Sequence, residues 1–146
     1  GAKDPKTLLR DAQSALSQND WPAALSNFNA ALAQIDETAD PSLALEAKLG
    51  QAEAQAHVSP GAARDTFLGL MKTSEVSFAD FSTITTALSG SGNFEEAIAL
   101  LTEGKEKGLF EDKLQSLITK VGDAAKAAGD ADSMSALSGL GYVGND

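Results

Sequence analysis

Helix breakers punctuate this chain at short, regular intervals, and the apolar residues between them recur with the period of an α-helix. Asp4-Pro5, Asp40-Pro41 and Ser59-Pro60 each read as a helix start, with a side-chain acceptor at the N-cap and Pro at the first helical position. The clearest segment follows Asn19-Asp20, where Trp21, Ala24, Leu25, Phe28, Ala31, Leu32 and Ile35 fall on one face of a helix. Further segments carry Leu45, Leu49, Ala52 and Ala56, then Ala63, Phe67 and Leu70, then Phe78, Phe81, Ile84 and Leu88. Beyond Gly90-Ser91-Gly92-Asn93 come Phe94, Ala97, Ile98 and Leu101, ended by Lys107-Gly108, where Gly accepts the left-handed conformation of a helix end. Leu114, Leu117, Ile118, Val121 and Ala125 make a seventh segment, and a short eighth runs from about Ser133 to Leu140. Aromatic residues are only 5% of the chain while Ala is abundant, which suits close helix packing better than a β-sandwich. The expected class is all-α with eight helices.

The connections are a few residues long, so successive helices are expected to pack as antiparallel neighbours. The turns also repeat. Asn19-Asp20-Trp21, Gly92-Asn93-Phe94 and Gly129-Asp130-Ala131 align, and in the first two an aromatic residue is followed by Ala24-Leu25 or Ala97-Ile98. Seven residues before each turn stands a small residue or Thr: Ala12, Thr85 and Gly122. Leu49-Gly50-Gln51-Ala52 and Val121-Gly122-Asp123-Ala124 match one another. Ala24, Ala62, Ala97 and Met134 mark four copies.

This pattern resembles the tetratricopeptide repeat, a helix-turn-helix unit of about 34 residues. Asn19, Asp20, Trp21, Ala24, Phe28 and Ala31 carry the likeness in the first copy; Phe81, Ile84, Leu88, Gly92, Asn93, Phe94 and Ala97 carry it in the third. Ile118, Val121, Gly122, Gly129 and Asp130 carry it in the fourth. The second copy departs, with Glu53 where the family has an aromatic and His57-Val58 in place of the turn pair. The Pro that usually closes a repeat is also missing after the first and third copies. The resemblance implies an α-α superhelix, or solenoid, of about four repeats over residues 5–37, 41–73, 77–108 and 110–140, with an irregular tail at 141–146.

The net charge is −10, from 21 acids against 11 Lys and Arg. Nucleic acid is a poor partner for such a chain, since its backbone is bound by cations that displace counterions. Between Asp11 and Glu46 there are six acids (Asp11, Asp20, Asp36, Glu37, Asp40, Glu46) and no Lys or Arg, an acidic face that would attract a basic partner. No apolar run reaches the ~20 residues of a membrane span, so direct membrane insertion is not expected. The expected location is cytoplasmic; a targeting segment removed ahead of residue 1 would place the chain in an organelle or the periplasm instead.

Catalytic candidates are few, and the expectation is that the protein is not an enzyme. There is no Cys, and the one His, His57, stands near a helix C-terminus, where a cation suits the helix dipole. Asp36-Glu37, Glu95-Glu96 and Glu111-Asp112 are adjacent pairs, and neighbours on a helix point about 100° apart. No spacing reads as a metal site or a phosphate-binding loop, so no metal or cofactor is expected.

In tetratricopeptide arrays the first helix of each pair lines a concave groove. The resemblance places Leu9, Gln13 and Leu16, then Lys48, Gln51 and Gln55, then Ser82, Thr86 and Ser89 on that groove. Family members that grip a terminal carboxylate use cations and Asn at positions matched here by Leu9, Gln13, Lys48, Ala79 and Thr83, so that clamp is not expected. The expected function is a scaffold or adaptor that binds a partner peptide or helix through a polar groove and the acidic first repeat. The alternative is a structural module of a larger α-solenoid or self-associating complex.

Overall fold

A computed structural model describes residues 3–144. Among them are eight helices and no strand: α1 (Pro5–Ser17), α2 (Trp21–Gln34), α3 (Pro41–Val58), α4 (Pro60–Thr73), α5 (Phe78–Gly90), α6 (Phe94–Glu106), α7 (Glu111–Ala128) and α8 (Ala131–Gly139). Contacts divide the chain into two units, one up to Glu75 with α1–α4 and one from Val76 with α5–α8. All of the chain's prolines (5, 22, 41 and 60) stand in the first two positions of the first unit's helices, where no donor is missed. Asp4, Asp20, Ser77 and Asp130 cap α1, α2, α5 and α8 by accepting the backbone N–H three residues on.

The three aligned turns share one backbone. Asn19, Gly92 and Gly129 are left-handed, with φ of 58°, 80° and 71°. The next residue turns back to a carbonyl five positions earlier: Asp20 N–H to Ala15, Asn93 N–H to Leu88, and Asp130 N–H to Ala125, at 2.9, 2.8 and 3.0 Å. That same residue then stands at the N-cap of the following helix, at φ of −91°, −91° and −88°, with a capping bond accepted by the side chains of Asp20 and Asp130 but not by that of Asn93. Two residues thus end one helix and start the next. Between α3 and α4 a single residue, Ser59, is both the end of one helix and the start of the next, and no turn pair stands there.

In the first unit α2 packs on α1 and α3, α3 also on α4, and α1 touches α3. Leu8, Leu9, Ala12, Ala24, Phe28, Ala31, Ala47 and Ala54 form the core. The tip of the Phe28 ring abuts Gly50 of α3, where an added Cβ would stand 2.1 Å from the ring's Cζ. The buried residues of α3 are Ala44, Ala47, Gly50, Ala52, Ala54 and Ala56, while Leu45 and Leu49, expected inward, are only half-buried. With neighbours on several sides, α3 has no single apolar stripe, and its small residues let those neighbours approach. In the second unit α5–α6, α6–α7 and α7–α8 pack in sequence, with α5 on α7 and α6 on α8. Phe81, Ile84, Leu88, Leu100, Leu101, Ile118, Val121 and Leu137 are buried there.

Truncating Phe28, which is 0% exposed, should cost about 3–5 kcal/mol, measured by chemical denaturation. Gly50→Ala should cost about 1–3 kcal/mol because the ring must move. Losses under about 1 kcal/mol for both would mean that this contact does not hold α2 on α3.

Candidate functional site

The groove residues implied by the resemblance divide between the two units. In the first unit, Leu9 and Gln13 of α1 come together with Leu43 and Glu46 of α3 around a pocket of about 300 Å³, with Lys6 and Arg10 completing its wall. Leu9 is almost fully buried and forms its floor with half-buried Leu43, while Lys6, Arg10, Gln13 and Glu46 are exposed. Leu16 instead packs against the core. Lys48 lines a smaller pocket of about 170 Å³ toward α4 and pairs with Glu37, Nζ to Oε1 2.9 Å. Gln51 donates its amide to Asn29 Oδ1 of α2 at 2.8 Å, and the side-chain oxygen of Gln55 is buried with no hydrogen-bond partner. Of the six, two therefore line the pocket between α1 and α3, and the rest are engaged elsewhere.

On α5 the predicted residues are packed inward. Ser82 is half-buried, Ser89 is buried and donates to the Thr86 carbonyl at 3.3 Å, and the Thr86 hydroxyl is buried without a partner.

The acids of the first unit are dispersed. Asp20 caps α2 at one end, accepting from Ala23 N–H at 3.2 Å. Asp36, Glu37 and Asp40 lie beyond the other end of this 14-residue helix, about 21 Å away at 1.5 Å per residue. Asp36 closes its own turn on Thr38 and Ala39 N–H, Asp40 begins α3, and Asp11 pairs with Lys3 at 2.7 Å. Glu46 sits apart, at the α1–α3 pocket. The capping bond from Thr7 holds the Asp4 carboxyl below its usual value of 3.8.

Several residues stand out only in the structure. The indole of Trp21 and the imidazole of His57 stack at 3.7 Å and 6°, joining the start of α2 to the end of α3. His57 is thus packed on a ring near the helix end, and desolvation pushes its pKa below 6.5. Glu53 is half-buried, and desolvation raises its carboxyl above 4.5. After α8, Tyr142 is buried: its ring covers Gly122, where a Cβ would fall 2.2 Å away, and its hydroxyl donates to Asp123 at 2.9 Å. Lys105 and Gln115 donate to the Leu140 and Gly141 carbonyls, so residues 140–142 are tied down. The irregular stretch expected from 141 thus includes a docked aromatic; its last two residues lie outside the described ones. The sequence signal was Gly122, which occupies the register of Gly50 and likewise receives a ring.

Compared with models of protein families, with curated proteins and with solved structures, the chain matches none. No helix among the described residues is long and apolar enough to cross a membrane.

Glu53 binds a proton more readily folded than unfolded, so it favours folding below 4.5 and loses that advantage as pH rises through the folded value. Glu53→Gln should therefore stabilise the protein at neutral pH and have little effect at about pH 4, where both states are protonated. His57 has the opposite sign: its neutral form belongs to the fold, so its contribution is complete above 6.5 and falls away as pH drops toward the folded value. Trp21 is the only Trp, so its emission should change at a pH below 6.5 as His57 charges, and His57→Gln should flatten that step.

Proposed function

We propose that the chain is a protein-binding module of tetratricopeptide-type repeats, and that it holds a partner segment against the face where α1 meets α3. The observation that carries this reading is the pocket of about 300 Å³ in which Leu9 and Gln13 meet Leu43 and Glu46. Leu9 and Gln13 are groove residues by the repeat register, and the pocket gives them an apolar floor under polar, solvent-facing walls. A floor of this kind suits an anchoring side chain, while the walls suit the main chain beside it. The repeated turn and the ring set on Gly50 support the repeat assignment, because both keep each helix at a fixed register against its neighbour. The dispersal of the acids argues against a single acidic docking surface.

Gln13 is exposed, so Gln13→Trp can fill the pocket without entering the core. Wild type and this variant would be used as bait, with captured proteins identified by mass spectrometry. A partner held at this face should be captured by wild type and reduced at least about tenfold by Gln13→Trp, which is 1.4 kcal/mol of binding. Partners captured equally by both would sink this placement of the site.

A further inference from the structure

The chemistry of the α1–α3 pocket narrows what that partner segment carries. Cations are scarce in the first half of the chain: only Lys3, Lys6 and Arg10 precede Lys48. Lys3 is drawn off by Asp11. Lys6 and Arg10 are left on the pocket wall, exposed, one helical turn apart and in no ion pair among the described residues. Arg10 is near enough to Asp4 to interact with it electrostatically, and Asp4 also accepts the Thr7 N–H of its own cap.

Lys6 is the second residue of α1, directly after the N-cap Asp4 and Pro5, and no acid of the first turn itself stands beside it. Both cations border the apolar floor of Leu9 and Leu43, and Glu46 and Gln13 close the remaining wall.

We propose that this pocket takes a peptide segment presenting an apolar side chain next to a carboxylate side chain. The apolar group enters over Leu9 and Leu43. The carboxylate lies against Lys6 and Arg10, where a guanidinium and an ammonium supply several donors. Gln13 accepts from or donates to the segment's main chain, Glu46 accepts from its N–H groups, and Glu46 repels a second acid on that side. The sequence read thus differs from a plain acidic tract. It is one acid beside one hydrophobic residue, with the acid on the α1 side.

This inference rests on the placement of the binding face proposed above, and the experiment separates the two. The intact chain would be used to select from a display library of random peptides carried inside a longer protein, so that no free terminal carboxylate is offered. The expected outcome is enrichment of segments with Asp or Glu beside Leu, Ile, Phe or Met. Binding of a selected peptide should fall at least about tenfold with Lys6→Glu/Arg10→Glu. It should also weaken as the Debye length shrinks from about 10 Å at 0.1 M salt to 3 Å at 1 M. The charge reversal puts an acid in the first turn of α1, which the helix dipole favours, and melting of the variant checks its fold. Enrichment of basic or uncharged segments, no enrichment, or binding indifferent to the reversal would each overturn the proposal. A partner blocked by Gln13→Trp yet indifferent to Lys6→Glu/Arg10→Glu would leave the binding face standing and remove only the acidic–apolar preference.

Discussion

The first unit depends on one close approach, the ring of Phe28 resting on the backbone of Gly50. An α-carbon without a side chain leaves a slot on α3, and a flat, fully buried ring fills it. The alanines around it follow from that separation. Ala24 and Ala31 flank Phe28 on α2, Ala47 and Ala54 flank Gly50 on α3, and each of the four is 0% exposed. Larger residues at those places would push the helices apart and empty the slot. At the far end of the same seam Trp21 stacks on His57, so two aromatic contacts set both the spacing and the register of α2 against α3. Glu53, a half-buried carboxylate on α3 with no ion pair among the described residues, shows how little of this packing needs charge.

The second unit uses the same device with a different donor. Gly122 occupies the register of Gly50, but its ring comes from Tyr142, which lies outside any helix. The turn that ends α8 delivers it: Gly141 is left-handed at φ 107° and Tyr142 N–H bonds the Leu137 carbonyl at 2.9 Å, as in the turns after α1, α5 and α7. A helix end that would otherwise fray is closed by an aromatic whose hydroxyl still finds an acceptor in Asp123. Burial and that hydrogen bond push the Tyr142 pKa above 10.0, so the donor keeps its proton.

How much could be read in advance follows from the range of each interaction. Helix ends are local, set by a Pro, a capping acid or a left-handed Asn or Gly within a few residues, and every junction between successive helices except that of α4 with α5 carries a breaker named from the sequence. The packing of α3 was less legible, because periodicity marks the long side chains Leu45 and Leu49 while contact on several sides selects the alanines between them. Tyr142 was hidden because an aromatic in a Gly-rich stretch looks like a loop unless the unfilled Gly122 is noticed. At the α1–α3 pocket, repeat register led to Leu9 and Gln13 but passed over Lys6, Arg10 and Leu43, which join them only because α1 lies beside α3. The acidic run was legible as composition, while α2 sets Asp20 at one end and Asp36, Glu37 and Asp40 beyond the other. Alternate ends of α2 separate residues that are close in sequence.

Places where a chain departs from what its own helices prefer are informative, but they differ in kind. The Thr85, Thr86 and Gln55 oxygens are buried with no partner, each at a cost of about 1–3 kcal/mol. Thr85 is 0% exposed and takes the register of Gly50 and Gly122, so its methyl group fills space that glycine leaves open, and the orphaned hydroxyl comes with that packing. Such a group is closed off and has nothing to offer a ligand. Lys6 is a different case. It is a cation in the first turn of α1, after the N-cap Asp4, and it stands in solvent, beside Arg10 and over an apolar floor. A buried misfit can be offset only from within, by the packing it allows. An exposed one stays open to whatever arrives, and an anion arriving at Lys6 would meet a second cation, Arg10, one turn on. That difference, more than the size of the pocket, is the reason the proposed binding face is placed at α1 and α3 of the first unit.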